Sequence, residues 1–294
     1  MDCEYDKMAI VGRGAFGTVY LGRKDSGEKV ILKQIVIEHM NEQELETTLQ
    51  EVKIMSLLDH PHIIKYYDSY TSEGLLTIVM EFATKGTLYE YLQKQKGELL
   101  PQEIILNLFG QLCLALQYIH NKRTLHRDIT TRNILLTGCH GQIVKLTDFG
   151  ISKVLTSRNK TTSVVGTPCY LSPELCEGKP YGTHSDIWAL GCVLYNMCTL
   201  RQAFQAQTLG GLVYKIMNES IEPVSEKYDQ GIMEMLQLML DRDPLTRPSV
   251  SALLSHRLLV PVVYNIITSL GCLLKPQQKS LEEDNQVKFY WNLN

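Results

Sequence analysis

The chain has 294 residues, of which 44% are hydrophobic and 21% charged, with a formal net charge of −3. That composition is globular and long enough for one large domain or two lobes sharing a core. Lys and Arg form no long basic run, which argues against a dedicated nucleic-acid or membrane-surface binder.

The eight cysteines are scattered with no C-x-x-C pair, so neither a zinc site nor a redox motif is suggested. Reduced thiols in the cytosol or nucleus are the natural reading. Met1–Lys7 is polar and acidic, with no apolar core of a secretory signal.

In chain order, Ala9–Val11 and Thr18–Gly22 read as strands flanking a Gly-rich turn. Asp25-Ser26-Gly27 signals a hairpin, and Val30–Ile37 is a second β-branched run. Asn41 with Glu44 can cap a helix whose Leu45, Leu49, Val52 and Met55 recur at helical spacing through Leu58. His60-Pro61 ends it, and Ile63–Tyr70 and Leu75–Phe82 read as two more strands. From Gly86 the period changes, and Pro101 opens a long apolar helix, Gln102–His120. Short strands are expected at Ile134–Leu136 and Ile143–Leu146, and helices at Ser185–Thr199, Leu209–Asn218, Gly231–Asp241 and Val250–Leu254. A strand-rich first part and a helix-rich second part mean α+β with two lobes.

Leu258–Leu274 carries no charge. A membrane span wants roughly 20 apolar residues. The stretch holds Pro261, Asn265, Ser269 and Gly271, which favours a terminal helix packed on the domain. From Lys275 the tail turns polar.

Gly12-Arg13-Gly14-Ala15-Phe16-Gly17-Thr18-Val19 has the pattern G-x-G-x-x-G-x-V. Glycines let a backbone approach phosphates closely and point N–H groups at them. Dinucleotide-binding folds use the same spacing but need a helix opening at the third glycine. Here Thr18-Val19-Tyr20-Leu21 is strand-forming. An ordinary Gly-rich hairpin turn is the other reading.

Lys33 follows one hairpin later, among apolar residues, where its ammonium can reach α- and β-phosphates. Glu51 on the next helix is a fitting partner to hold it. His126-Arg127-Asp128 with Asn133 forms H-R-D-x-x-x-x-N, and Asp148-Phe149-Gly150 begins 20 residues after Asp128. Phosphoryl transfer asks for a carboxylate to orient a hydroxyl and accept its proton, and for oxygen ligands to Mg²⁺. Asp128 fits the first role, and Asp148 and Asn133 fit the second. All four motifs in this order and spacing make coincidence negligible.

On these motifs the sequence resembles the eukaryotic protein kinases. The match covers residues 5–259, with an N-lobe of about 5–82, a hinge of about 81–86, a C-lobe of about 87–259 and a C-terminal tail of 260–294. The resemblance implies the bilobal fold, with a small antiparallel N-lobe sheet carrying one helix and a larger, mostly helical C-lobe. Val165–Cys176 and Ser185–Gly191 are similar to the NIMA-related kinases, in the branch whose kinase domain precedes a chromosome-condensation-regulator-type propeller. No such propeller is among these 294 residues, so a short isoform, a fragment or a lone-kinase relative is expected.

The resemblance implies ATP and Mg²⁺ as cofactors and protein substrates as partners. It makes Met80 the gatekeeper, with Glu81 and Ala83 offering hinge backbone groups to adenine. Val19, Ile31 and Leu135 would sandwich the ring, and Val11 is a further cofactor-binding residue; Ile31 stands where most kinases have alanine. Tyr66, Met55, His126 and Phe149 would stack into the spine that aligns the lobes. Tyr66 is polar for that position and could swing inward to hold an inactive state. Glu174 would pair with Arg247 beneath the substrate loop.

Gly166-Thr167-Pro168-Cys169-Tyr170 implies Ser/Thr acceptors, with the Thr167 hydroxyl contacting Asp128, and Ile151 leans towards threonine. Ser163, beside Thr161 and Thr162, resembles an activation site. Phosphate there adds about −1.5 to −2 charges, and Arg127 is the guanidinium to receive it. An upstream activating kinase is implied. The family suggests a cytoplasmic protein associated with cytoskeleton, centrosome or cilium.

One position departs from the pattern. Thr130 stands where most Ser/Thr kinases carry a lysine that neutralises the transferring phosphoryl group. Arg132 occupies the offset at which tyrosine kinases often place a compensating arginine, and its rigid fork suits that task. A weak kinase or pseudokinase scaffold is therefore the alternative function.

Overall fold

The computed structural model describes residues 5–14, 17–148 and 168–273. Its first lobe is a sheet in the order β1-β2-β3-β5-β4, antiparallel throughout: β1 Tyr5–Gly14, β2 Gly17–Lys24, β3 Lys29–Val36, β4 Tyr66–Ser72 and β5 Leu75–Glu81. Side chains alternate between faces along a strand. Val30, Leu32 and Val79 fill one face, packed with Tyr5, Tyr20, Tyr67 and Tyr70. Val19, Ile31, Lys33 and Met80 share the other face, because Val19 pairs with Lys33 across β2–β3 and Ile31 with Met80 across β3–β5.

Helix α1 (Glu42–Ser56) begins as the sequence predicts. The Asn41 side chain accepts from the Glu44 N–H at 2.9 Å, and the Glu44 carboxylate accepts from the Asn41 N–H at 3.0 Å. This reciprocal cap satisfies two N–H groups that a helix start leaves unpaired. Val52 and Met55 are the helix's buried apolar contacts.

The second lobe is built on α3 (Gln102–Asn121) and α5 (Thr183–Thr199). Every residue from Ser185 to Cys198 in α5 is buried, as expected of a helix apolar on all sides. Around them lie α2 (Leu88–Gln93), α4 (Pro173–Cys176), α6 (Leu209–Asn218), α7 (Gln230–Met239), α8 (Val250–Leu254) and α9 (Val260–Leu273). A short hairpin of β6 (Ile134–Thr137) and β7 (Ile143–Leu146) lies where the lobes meet. Ile64 N–H donates to the Leu146 carbonyl at 2.9 Å, tying the chain before β4 to that hairpin.

Two differences from the sequence reading have local causes, and the terminal apolar segment agrees with it. Pro101 sits just before α3 with φ −59° and ψ 143°, as its cap rather than its first turn. Helix α2 was not foreseen, although Thr87 and Glu90 form a capping box. The apolar segment after Leu258 is a 14-residue helix resting on α3, where a Cβ at Gly110 would lie 3.3 Å from Ile266 Cδ1. Glycine thus permits the close approach. Among the described residues no helix is long and apolar enough to cross a membrane.

Candidate active site

The glycine segment turns from β1 into β2, with Gly12 opposite Val19, Arg13 opposite Thr18 and Gly14 opposite Gly17. A strand, not a helix, follows the third glycine, which removes the dinucleotide-fold reading. A Cβ on Gly17 would fall 1.7 Å from the Gln34 carbonyl oxygen, so only glycine fits against β3 there. Val11 is exposed beside this turn. Ala15 and Phe16 lie outside the described residues.

Behind the turn, Met80 is buried at the end of β5. The Glu81 carboxylate accepts through Oε2 from Lys145 Nζ at 2.8 Å and from the Lys65 N–H at 3.1 Å, and the Glu81 N–H donates to the Lys65 carbonyl at 2.9 Å. Among the described residues the Ala83 N–H has no hydrogen-bond partner. Leu135 on β6 bridges to Thr87 at the start of α2.

Lys33 and Asp148, 115 positions apart in sequence, are in direct ionic contact. The expected Lys33–Glu51 pair is not formed. Glu51 is near enough to feel Lys33 and Arg127, yet its Oε2 is buried with no hydrogen-bond partner among the described residues. Burial pushes its carboxyl up to about 7, against the pull of those two cations. The physical reason for the exchange is that Asp148 offers Lys33 a closer carboxylate. Asp148 itself has φ 60°, a left-handed conformation that costs about 1–2 kcal/mol in a non-glycine residue.

Tyr66 donates its hydroxyl to Ser69 Oγ at 2.7 Å on its own strand and packs half-buried against the core. The other described spine residues, Met55 and His126, are buried; Phe149 lies outside the described residues.

The loop carrying Asp128 is held from below by a buried carboxylate, Asp186. Its Oδ2 accepts from the His126 N–H at 3.1 Å and faces His120 Nε2 at 2.8 Å. Its Oδ1 accepts from the Arg127 N–H at 3.0 Å and the Tyr181 hydroxyl at 2.5 Å. Burial works to raise the Asp186 pKa, but His120, His126 and Tyr181 together hold it below the ordinary carboxylate value. Arg127 adopts φ 68° and so turns its N–H towards this anchor. The His126 ring is fully buried, which holds it neutral. Its Nδ1 accepts from the Asp128 N–H at 3.2 Å, leaving Nε2 to donate to the Thr147 carbonyl at 3.1 Å.

Asn133 Nδ2 donates to Asp128 Oδ2 at 2.7 Å and to the Asp128 carbonyl at 2.9 Å. Its Oδ1 has no partner among the described residues. Thr130 is buried, its hydroxyl accepting from the Asn133 N–H at 3.3 Å. Arg132 is not brought to Asp128 as the compensating-charge reading requires. Its guanidinium carbon lies 3.9 Å from the Tyr89 ring centroid on α2, because an aromatic face there attracts the cation.

Beneath, Glu174 and Arg247 form the expected pair through two parallel hydrogen bonds of 2.9 and 2.8 Å, both residues buried. Ile151, Thr161, Thr162, Ser163 and Thr167 lie outside the described residues, so the geometry around Asp128 omits them. Asp186, His120 and Tyr181 were missed as site residues. Asp186 stands inside the segment that carried the resemblance, but nothing in its spacing reveals that two backbone N–H groups 59 and 60 positions away converge on it.

The family model described as "Protein kinase domain" matches residues 5–259. The chain belongs to the protein kinase family. Within that family it is NIMA-related. It is 46% identical to serine/threonine-protein kinase Nek8 of Danio rerio, covering 91% of this chain and 38% of that protein. With serine/threonine-protein kinase Nek1 of Mus musculus it shares 41% identity over 85% of this chain and 21% of that protein. Serine/threonine-protein kinase nekl-2 of Caenorhabditis elegans is 38% identical, over 92% and 79% respectively. The chain thus spans well under half the length of the first two kinases. Among solved structures, Rad53 in complex with AMP-PNP superposes with a TM-score of 0.71 at 24% identity, covering 87% of this chain and 65% of that one, a likeness of fold.

Proposed function

We propose that the chain is a serine/threonine protein kinase, transferring the terminal phosphoryl group of ATP to hydroxyls of protein substrates, with residues 5–259 as its catalytic domain. The observation that carries this reading is the meeting of Lys33 and Asp148 below the Gly-rich turn, in a chain whose Asp128–Asn133 hydrogen bond prepares the acceptor side.

The residues fit the two cofactors. Val19, Ile31, Met80 and Leu135 offer apolar walls for an adenine, and the unpaired Ala83 N–H offers a donor at its edge. Asp148 already holds a cation, the Lys33 ammonium, and Asn133 Oδ1 has no partner among the described residues; both are hard oxygen donors that suit Mg²⁺. When bound, the ion supplies neutralisation of phosphate charge. Lys33 would hold the α- and β-phosphates, steadied by Glu51, whose buried Oε2 has no partner among the described residues. Asp128, oriented by Asn133, would align the acceptor hydroxyl and take its proton as the new P–O bond forms and ADP leaves.

Phosphorylation at Ser163, Thr161 or Thr162 by an upstream kinase would give exposed Arg127 a dianionic partner and so tie the activation segment to the Asp128 loop. The family resemblance favours a cytoplasmic protein linked to cytoskeleton, centrosome or cilium. Incubating the purified chain with labelled ATP and a generic protein substrate tests the function. Label on serine and threonine supports it, and ATP binding without transfer favours a scaffold.

The scaffold reading draws support from Thr130 together with the engagement of Arg132 by Tyr89. With no cation supplied by either, transfer should be slow, and Thr130→Lys should raise kcat by roughly tenfold to 10²-fold, since one preorganised transition-state donor commonly contributes that much or more. A turnover unchanged by this substitution would mean that charge is already provided from elsewhere.

A further inference from the structure

Tyr170 lines two concavities. One, of about 60 Å³, contains Asp128 and is part of the acceptor site described above. The other, of about 310 Å³, lies between α2, the Asp128 loop and the turn after α5, and Arg132 and Arg201 both line it. No carboxylate is among its described lining residues, whose remaining polar groups are amides and hydroxyls.

Both arginines are held for use. The Arg132 guanidinium stacks on Tyr89, which leaves its N–H edge to make hydrogen bonds. Arg201 follows Leu200, which ends α5 in a left-handed conformation at φ 58°. The Arg201 backbone is then fixed by Asn196 Nδ2 on its carbonyl at 3.0 Å and by Thr199 Oγ1, which accepts from its N–H at 3.1 Å. Its side chain meets Glu222 at 3.6 Å with both groups 77% exposed, a contact weak enough to be displaced. The cavity is joined to the Asp128 loop by the Tyr170 hydroxyl, 3.0 Å from Thr131 Oγ1.

We propose that this cavity is a specificity subsite that takes an anionic side chain, carboxylate or phosphate, flanking the acceptor residue of a protein substrate. The inference deepens the kinase reading and rests on it. A substrate laid with its acceptor over Asp128 runs past Tyr170, and its neighbouring side chain then meets two guanidiniums in a recess that excludes part of the solvent.

The test compares threonine peptides carrying glutamine, glutamate, phosphoserine or lysine at each flanking position in turn. At one position glutamate should exceed glutamine in kcat/KM by roughly tenfold, the scale of a charge-assisted hydrogen bond. Arg201→Glu and Arg132→Glu should each erase that ratio and raise the relative rate on the lysine peptide. A gain for phosphoserine alone assigns the subsite to phosphate. If no peptide is turned over, the kinase reading fails, while the same ratio read from peptide binding by fluorescence anisotropy still tests the subsite. A ratio near one at every position, or one unmoved by both charge reversals, overturns the proposal.

Discussion

Asp128→Asn should slow phosphoryl transfer by roughly 10²–10⁴-fold, the usual contribution of a positioned general base, with ATP affinity near that of the unaltered chain. The carboxylate lies in a loop whose backbone N–H groups at His126 and Arg127 are already fixed on Asp186. Asparagine keeps an oxygen for the Asn133 amide, so the loop should stay in place while the proton acceptor is lost. Single-turnover transfer to a threonine peptide measures the chemistry, and titration with a fluorescent nucleotide measures binding. Transfer within a few-fold of the original would remove Asp128 from the mechanism. Weakened nucleotide binding would instead show that the loop had moved.

Glu174→Ala should destabilise the chain by about 3–5 kcal/mol, the cost of leaving one charge of a buried pair uncompensated. Arg247 shows no exposed side-chain surface, and its other contacts, with the carbonyls of His184 at 2.9 Å, Asp241 at 2.7 Å and Arg242 at 3.3 Å and with the Trp188 ring, carry no full negative charge. Ser185 Oγ also donates to Glu174 at 2.5 Å. Denaturant unfolding with a common slope would read the loss, and an unshifted midpoint would refute it.

The same pair sets a pH dependence. Burial tends to raise the Glu174 pKa, but Arg247 and Ser185 bring it down to about 2 from an ordinary 4.5. A carboxyl depressed on folding contributes stability that is whole above its unfolded pKa and is lost as pH falls through the folded value. The difference corresponds to about 3 kcal/mol. Stability should therefore decline between about pH 4.5 and 2, and Glu174→Ala should flatten that decline.

How far the site could be read in advance differs from residue to residue. Asn41 and Glu44 announced the start of α1 because a cap is local, spanning three positions. Thr87 and Glu90 carry the same signal, and α2 was passed over only because six residues leave little room for a periodic pattern. The β-branched run Val30–Ile37 put Lys33 on a strand, and the ladder with β5 showed which face it shares with Ile31 and Met80. Glu51 was assigned to Lys33 from its place on the next helix, and Arg132 was given a compensating charge from kinase pattern. Their actual neighbours depended on which charge or ring came nearest once the lobes were packed.

The linear order of residues was enough to specify the kinase fold and the chemical inventory: a Gly-rich turn before a strand, a lysine one hairpin later, and carboxylates at Asp128 and Asp148. These follow from backbone rules and from what phosphate chemistry demands of side chains, both of which act over short spans. Only the tertiary structure decided that Lys33 rests on Asp148 rather than on Glu51, that Asp186 anchors the loop from below, and that Arg132 turns to Tyr89 beside Arg201. Those choices are set by distance and desolvation among groups tens of positions apart, and such groups become neighbours only when the core closes around α5.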